Sequence, residues 1–139
     1  MSRLLAALLL LLPAPAGATE LTVHVLGVHA TPGDILVAAC PREGFPGAAC
    51  PFLGSAPARL GEVTITLHDL PAGDFALKAF HDLDGDRQLR TDWLGRPREP
   101  LGCGNDAPIT RAGPPRFEAA AVRLPPKGAF ETRLSLRYE

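Results

Sequence analysis

With 139 residues, 46% of them hydrophobic and 21% charged, the chain is sized for one domain and too apolar for intrinsic disorder. Its 14 basic and 15 acidic side chains leave a formal net charge of −1, which offers no broad attraction to a polyanion and argues against nucleic acid as a partner. The 14 Gly and 15 Pro indicate a backbone that turns often.

Residues 1–18 have the order of a secretory signal peptide. Arg3 precedes the apolar run Leu4 to Leu12, Pro13 and Pro15 break any helix, and Ala16-Gly17-Ala18 supplies an A-x-A cleavage site. Nine apolar residues fall short of the roughly 20 that cross a bilayer, and no Cys follows the run to accept a lipid. The expected product is a periplasmic or secreted domain, 19–139, with no membrane span after cleavage. Removing the leader takes away only Arg3, so the formal charge moves to −2.

Along 19–139 the hydrophobic period is two. Leu21, Val23 and Val25 alternate with Thr22 and His24, which predicts a half-buried first strand. Thr31-Pro32-Gly33-Asp34 then turns the chain into a more continuously apolar run, Ile35 to Cys40. Val63, Ile65 and Leu67 alternate with Glu62, Thr64, Thr66 and His68. Leu70-Pro71-Ala72-Gly73-Asp74 joins that strand to the apolar run Phe75 to His81. Phe117 to Leu124 is ambiguous because of its alanines. After Pro125-Pro126-Lys127-Gly128, the last strand puts Phe130, Thr132, Leu134, Leu136 and Tyr138 on one face. The three Pro/Gly turns are expected to close hairpins, since Pro presets one turn dihedral and Gly tolerates a positive one. The fold predicted is an all-β, single antiparallel β-sandwich of about seven strands.

Three cysteines follow the leader, and export places them where disulfides persist. Cys40 and Cys50 bracket the Pro- and Gly-rich stretch PREGFPGAA, and a bridge closing that loop would stabilise by roughly 2–3 kcal/mol. Cys40–Cys50 is the favoured pair; three free thiols or a bridge using Cys103 are the alternatives. No local neighbour of Cys103 would stabilise a thiolate.

From Asp82 to Arg116, 35 residues hold five Gly, five Pro, six acidic and six basic side chains, with no sustained apolar alternation. A loop that long in a compact domain is usually functional or held by something beyond its own core. It opens with HDLDGDRQLRTDW. Asp82, Asp84, Asp86 and Asp92 could converge on calcium, which takes six to eight oxygens in irregular geometry. The EF-hand pattern is not met, because Arg87 and Trp93 stand where Gly and Glu would be needed. A solvated acidic turn without metal is the other reading, since Asp itself favours turns. His81 ends a buried strand beside these carboxylates and is expected to bond a loop group; a hydrolase using it with the loop carboxylates is a lesser alternative. His24 and His68 fall on polar faces and are expected to be solvated. Zinc spacing, a nucleophile elbow, a P-loop and a dinucleotide fingerprint are all absent from the sequence. Packing of Trp93 on the sandwich is the expected arrangement; contact with a sugar or peptide, together with Arg96 and Arg98, is the other.

The run LPAGDFALKAFHDLDGD, followed by WLGRPREPLG, GND, PPRFEAAAV and a final LSLRY, is similar to the exported bacterial family catalogued as domain of unknown function 2141. The corresponding positions are Pro71 and Gly73, His81 and Asp82, Asp84 to Asp86, Gly95, Pro97 and Glu99, Asn105 and Phe117. Arg90 stands where that family usually has an acidic residue, which weakens the case for calcium, and Cys103-Gly104 replaces a common Phe-Ser. The resemblance implies a transthyretin-like or immunoglobulin-like sandwich and an exported location, with no established activity. His81, Trp93, Glu99 and Asn105 are accordingly expected to support the loop or to bind through it. The function expected is a non-catalytic binding or envelope-associated module whose partner is an envelope protein, a peptide or a glycan; a structural envelope component without ligand is the alternative.

Overall fold

The computed structural model describes residues 18–47 and 50–138, so the leader expected over residues 1–18 lies, apart from Ala18, outside the described residues. The strands are β1 (Thr19–Val28), β2 (Asp34–Cys40), β3 (Phe52–Pro57), β4 (Gly61–Leu70), β5 (Gly73–Asp82), β6 (Leu101–Cys103), β7 (Ala121–Leu124) and β8 (Gly128–Ser135). A four-residue α-helix, α1 (Phe117–Ala120), precedes β7, which resolves the ambiguous Ala-rich segment into a helical turn followed by a strand.

The all-β sandwich is as expected. One sheet has the order β4-β1-β8; the other runs β3-β2-β5-β6, with β7 also paired to β5. β7 meets the first half of β5 (Gly73 to Ala76) and β6 the second (Lys78 to Phe80). The inner faces interdigitate: Leu21, Val23 and Val25 of β1, Val63, Ile65 and Leu67 of β4, and Leu134 of β8 meet Ile35 and Val37 of β2, Phe75, Leu77 and Ala79 of β5, and Leu124 of β7. Each such Val, Leu, Ile or Phe contributes about 1.5–3 kcal/mol through burial. β5 reads as continuously apolar because both its faces are covered. Its second face carries Ala76, under a small cluster of Cys103, Ala107, Phe117 and Ala120 with Phe45 packed against it.

Three details differ from expectation. β8 runs parallel to β1 (Thr19 opposite Gly128, Leu26 opposite Ser135), so the sandwich is not purely antiparallel. Among the described residues there are eight strands: β3, weak in pattern because Gly54 and Ser55 interrupt it, and the three-residue β6 were not legible. The Pro/Gly turns at 31–34, 70–74 and 125–128 do not close hairpins, because each joins strands of opposite sheets. A turn residue sets local dihedrals, whereas the choice of pairing partner rests on which apolar faces meet across the core.

Cys40 and Cys50 form the expected disulfide, with 4.5 Å between Cα atoms. It closes the β2–β3 connection. Phe45 of that loop packs edge-on against Phe117, and Lys78 donates to the carbonyls of Pro46 and Gly47. Cys103 is free and buried beneath this loop. Burial pushes its thiol from 9.0 up to about 11, partly opposed by the charge of Lys78. In the folded protein Cys103 is therefore expected to resist iodoacetamide at pH 8 and to react once urea unfolds the chain. The folded state holds this proton more tightly, so the thiol's contribution to stability is intact below pH 9 and falls away between about pH 9 and 11. Alkylation at pH 8 as fast as for free cysteine would contradict the burial.

Candidate functional site

Asp82 and Glu99 are buried, 1% and 3% exposed, and both face the start of the long loop. Asp82 ends β5; its Oδ1 accepts from the Gly85 N–H at 3.0 Å and its Oδ2 from Arg87 N–H at 2.9 Å. Glu99 precedes β6; its Oε1 accepts from Leu83 N–H at 3.0 Å and its Oε2 from Arg90 N–H at 2.9 Å. Four loop amides are thereby paired by two carboxylates, and charge-assisted bonds of this kind are about twice as strong as neutral ones. The loop needs such a device because it has no apolar alternation of its own.

Beyond Arg90 the chain forms a hairpin. Arg98 N–H donates to Arg90 O at 2.7 Å, Thr91 bridges to Pro97, and Asp92 N–H donates to Arg96 O at 2.9 Å. Asp92 folds the tip: its Oδ1 accepts from Leu94 and Arg96 N–H, both at 2.9 Å, and its Oδ2 from Arg96 Nε at 2.7 Å. These amides, Arg96 N–H foremost, hold the Asp92 carboxyl below the ordinary carboxylate range. Trp93 and Leu94 stand at the apex, 89% and 56% exposed. The expected packing of Trp93 on the sandwich is therefore corrected. The tight turn built by Asp92 and Gly95 turns the indole away from the sheets.

The four aspartates do not act as a set. Oxygens of Asp82, Asp84 and Asp86 lie within 4.8 Å of one another, whereas Asp92 lies outside this group, committed to its own turn. Asp84 accepts from Asp86 N–H at 3.2 Å and Asp86 from Gln88 N–H at 2.8 Å. The Asp86 N–H is the chief cause holding the Asp84 carboxyl below its ordinary value, with Arg90 a lesser one. An all-oxygen donor set suits a hard cation. Asp82, Asp84 and Asp86 are the residues that would hold calcium here, and the cation's charge would offset the repulsion among their carboxylates.

His81 is fully buried. Its Nε2 lies 2.6 Å from Pro32 O, which can only accept, so Nε2 carries the proton; Nδ1, 2.8 Å from the Tyr138 hydroxyl, then accepts. Tyr138 also stacks on His29 at 4.7 Å. His81 thus ties the β1–β2 connection and the C-terminal end of the chain to the loop's origin, and presents no exposed base. Asn105 braces a different region, donating from Nδ2 to Ala119 O and Ala121 O at 3.2 and 2.9 Å. His24 is corrected from simply solvated, whereas His68, with 67% of its side chain exposed, is solvated as expected. His24 Nδ1 lies 2.6 Å from Glu62 and Nε2 3.6 Å from Glu131, and His68 lies 3.7 Å from Glu20.

The face of the hairpin carries a shallow depression of about 510 Å³ lined by Arg90, Thr91, Asp92, Trp93 and Arg98. Arg98 was singled out in the sequence. Arg90 and Thr91 were missed, and the signal that would have found them is the five-residue return from Asp92 to Arg96, which sets Arg90 opposite Arg98.

Fold and site together define a β-sandwich that displays a carboxylate-braced hairpin. The chain belongs to the family of uncharacterized proteins conserved in bacteria designated DUF2141, whose model matches residues 23–131. No curated protein and no solved structure matches it. No helix among the described residues is long and apolar enough to cross a membrane.

Proposed function

We propose that the chain is an exported, non-catalytic module that binds a component of the cell envelope through the hairpin 90–98. The observation that carries this reading is Trp93, a large aromatic left 89% exposed on a loop whose backbone is pinned by Asp82 and Glu99. Aromatics dominate binding energy at recognition surfaces, and a loop ordered in advance loses little conformational freedom on binding. Export is supported by the leader-like residues 1–18 and by the Cys40–Cys50 bridge. Mature protein is expected to co-sediment with purified envelopes, and Trp93→Ala to lose at least tenfold of that retention at an unchanged melting temperature. Equal retention of the two proteins would favour a structural component whose loop has no ligand.

Calcium bound by Asp82, Asp84 and Asp86 is a second element of this reading, supported by the 4.8 Å convergence of their oxygens. A ligand at 100 times its Kd stabilises by about 2.7 kcal/mol, about 10 °C in melting temperature for a domain of this size. The expected result is a melting temperature higher in calcium than in chelator, with the difference abolished in Asp84→Asn/Asp86→Asn. Identical melting curves would remove the ion from the account.

A further inference from the structure

The depression beside Trp93 is rich in donors and poor in acceptors. Its one carboxylate, Asp92, is spent on Leu94 and Arg96. Among the described residues no ion pair or side-chain hydrogen bond engages Arg98, and Arg90 reaches an acidic group only at 3.9 Å, the Oδ2 of Asp84. Two guanidinium groups are therefore available on either side of the hairpin, and such groups prefer planar carboxylates and phosphates. The indole is the large apolar group among the lining residues, with Thr91 contributing a hydroxyl. An acyl chain or an aliphatic peptide side chain would offer the two guanidinium groups no acceptor. A pyranose offers what this surface lacks: a C–H face to lie on the flat indole, hydroxyls for Thr91 and water, and, if acidic, a carboxylate for the arginines. A shallow, open site also suits a ligand that stays partly hydrated.

We propose that the depression formed by Arg90, Thr91, Trp93 and Arg98 is a binding site for an acidic saccharide, with a sugar ring on the indole and its carboxylate held by the guanidinium groups. The proposal rests on the binding-module reading and names its ligand class.

Trp93 is the only tryptophan in the chain, so tryptophan emission, excited at wavelengths where Tyr138 does not absorb, reports on this site alone. Titration of the mature protein with tetragalacturonate is expected to shift or quench the emission saturably. Arg98→Gln and, separately, methyl esterification of the probe are each expected to weaken binding at least tenfold, with circular dichroism melts showing the variant folded. Tetraglutamate, of comparable charge but no sugar face, is expected to leave the emission unchanged. No emission change with tetragalacturonate, equal binding of its methyl ester, or equal binding of tetraglutamate would each overturn the proposal. If the saccharide fails while Trp93-dependent retention on envelopes persists, the ligand class falls and the module reading stands. Loss of both removes the module itself.

Discussion

Gly33→Ala is expected to destabilise the protein by about 3 kcal/mol or more, among the largest effects of any single methyl group in this fold. Gly33 lies at φ +78°, where an L side chain costs roughly 1–2 kcal/mol. A Cβ there would also sit 1.9 Å from Asp82 O and 2.9 Å from Asp82 C. Both obstructing atoms are backbone, so no rotamer change relieves them, and overpacking of this kind adds typically 1–3 kcal/mol. The clash falls where the β1–β2 connection rests on the end of β5, beside the Pro32–His81 bond. Gly61→Ala is the control. Its φ is +95°, but nothing lies within 4 Å of the added carbon, so only the backbone term of roughly 1–2 kcal/mol applies. Urea unfolding of the two variants separates the contributions. Equal midpoints would show that the connection does not bear on Asp82.

Glu99→Leu is expected to lower stability by about 2–4 kcal/mol and to release the loop. The substitution removes both acceptors of the Leu83 and Arg90 amides at once, and an orphaned buried donor costs about 1–3 kcal/mol. Hydrogen exchange at Leu83 and Arg90 should accelerate toward the rate of open chain, while amides of β1 and β4 change only with the global stability. Because Arg90 opens the hairpin, the same change should weaken whatever Trp93 binds. Glu118→Leu removes an exposed carboxylate paired with Arg42 and should stay within about 0.5 kcal/mol of wild type. Unchanged exchange at Leu83 in Glu99→Leu would show that the loop is ordered by other means.

The core strands were legible because burial enforces a period of two. Leu21, Val23 and Val25, like Val63, Ile65 and Leu67, occupy the inner faces their spacing implied. Strands β3 and β6 were not, since Gly54 and Gly102 occupy positions where backbone or neighbouring side chains come too close for a Cβ. At Gly102 that carbon would lie 2.2 Å from Ser135 O. A glycine chosen for such an approach erases the alternation that reveals a strand. The candidate site divides in the same way. The importance of Asp82 and His81 followed from their place at the end of a buried strand, whereas the role of Glu99 came only through family resemblance. Its partners Leu83 and Arg90 are 16 and 9 residues away, beyond any local pattern.

By itself, the sequence determined the all-β class and the position of the one long acidic excursion and favoured, without fixing it, the Cys40–Cys50 pairing, because hydrophobic period, loop length and composition are local properties. Tertiary structure alone decided that the Pro/Gly turns cross between sheets, that β8 lies parallel to β1, that Asp92 leaves the other aspartates, and that Trp93 faces solvent. Each of these depends on which distant backbone groups a buried face or carboxylate can satisfy, and that choice is made only when the two layers close on one another.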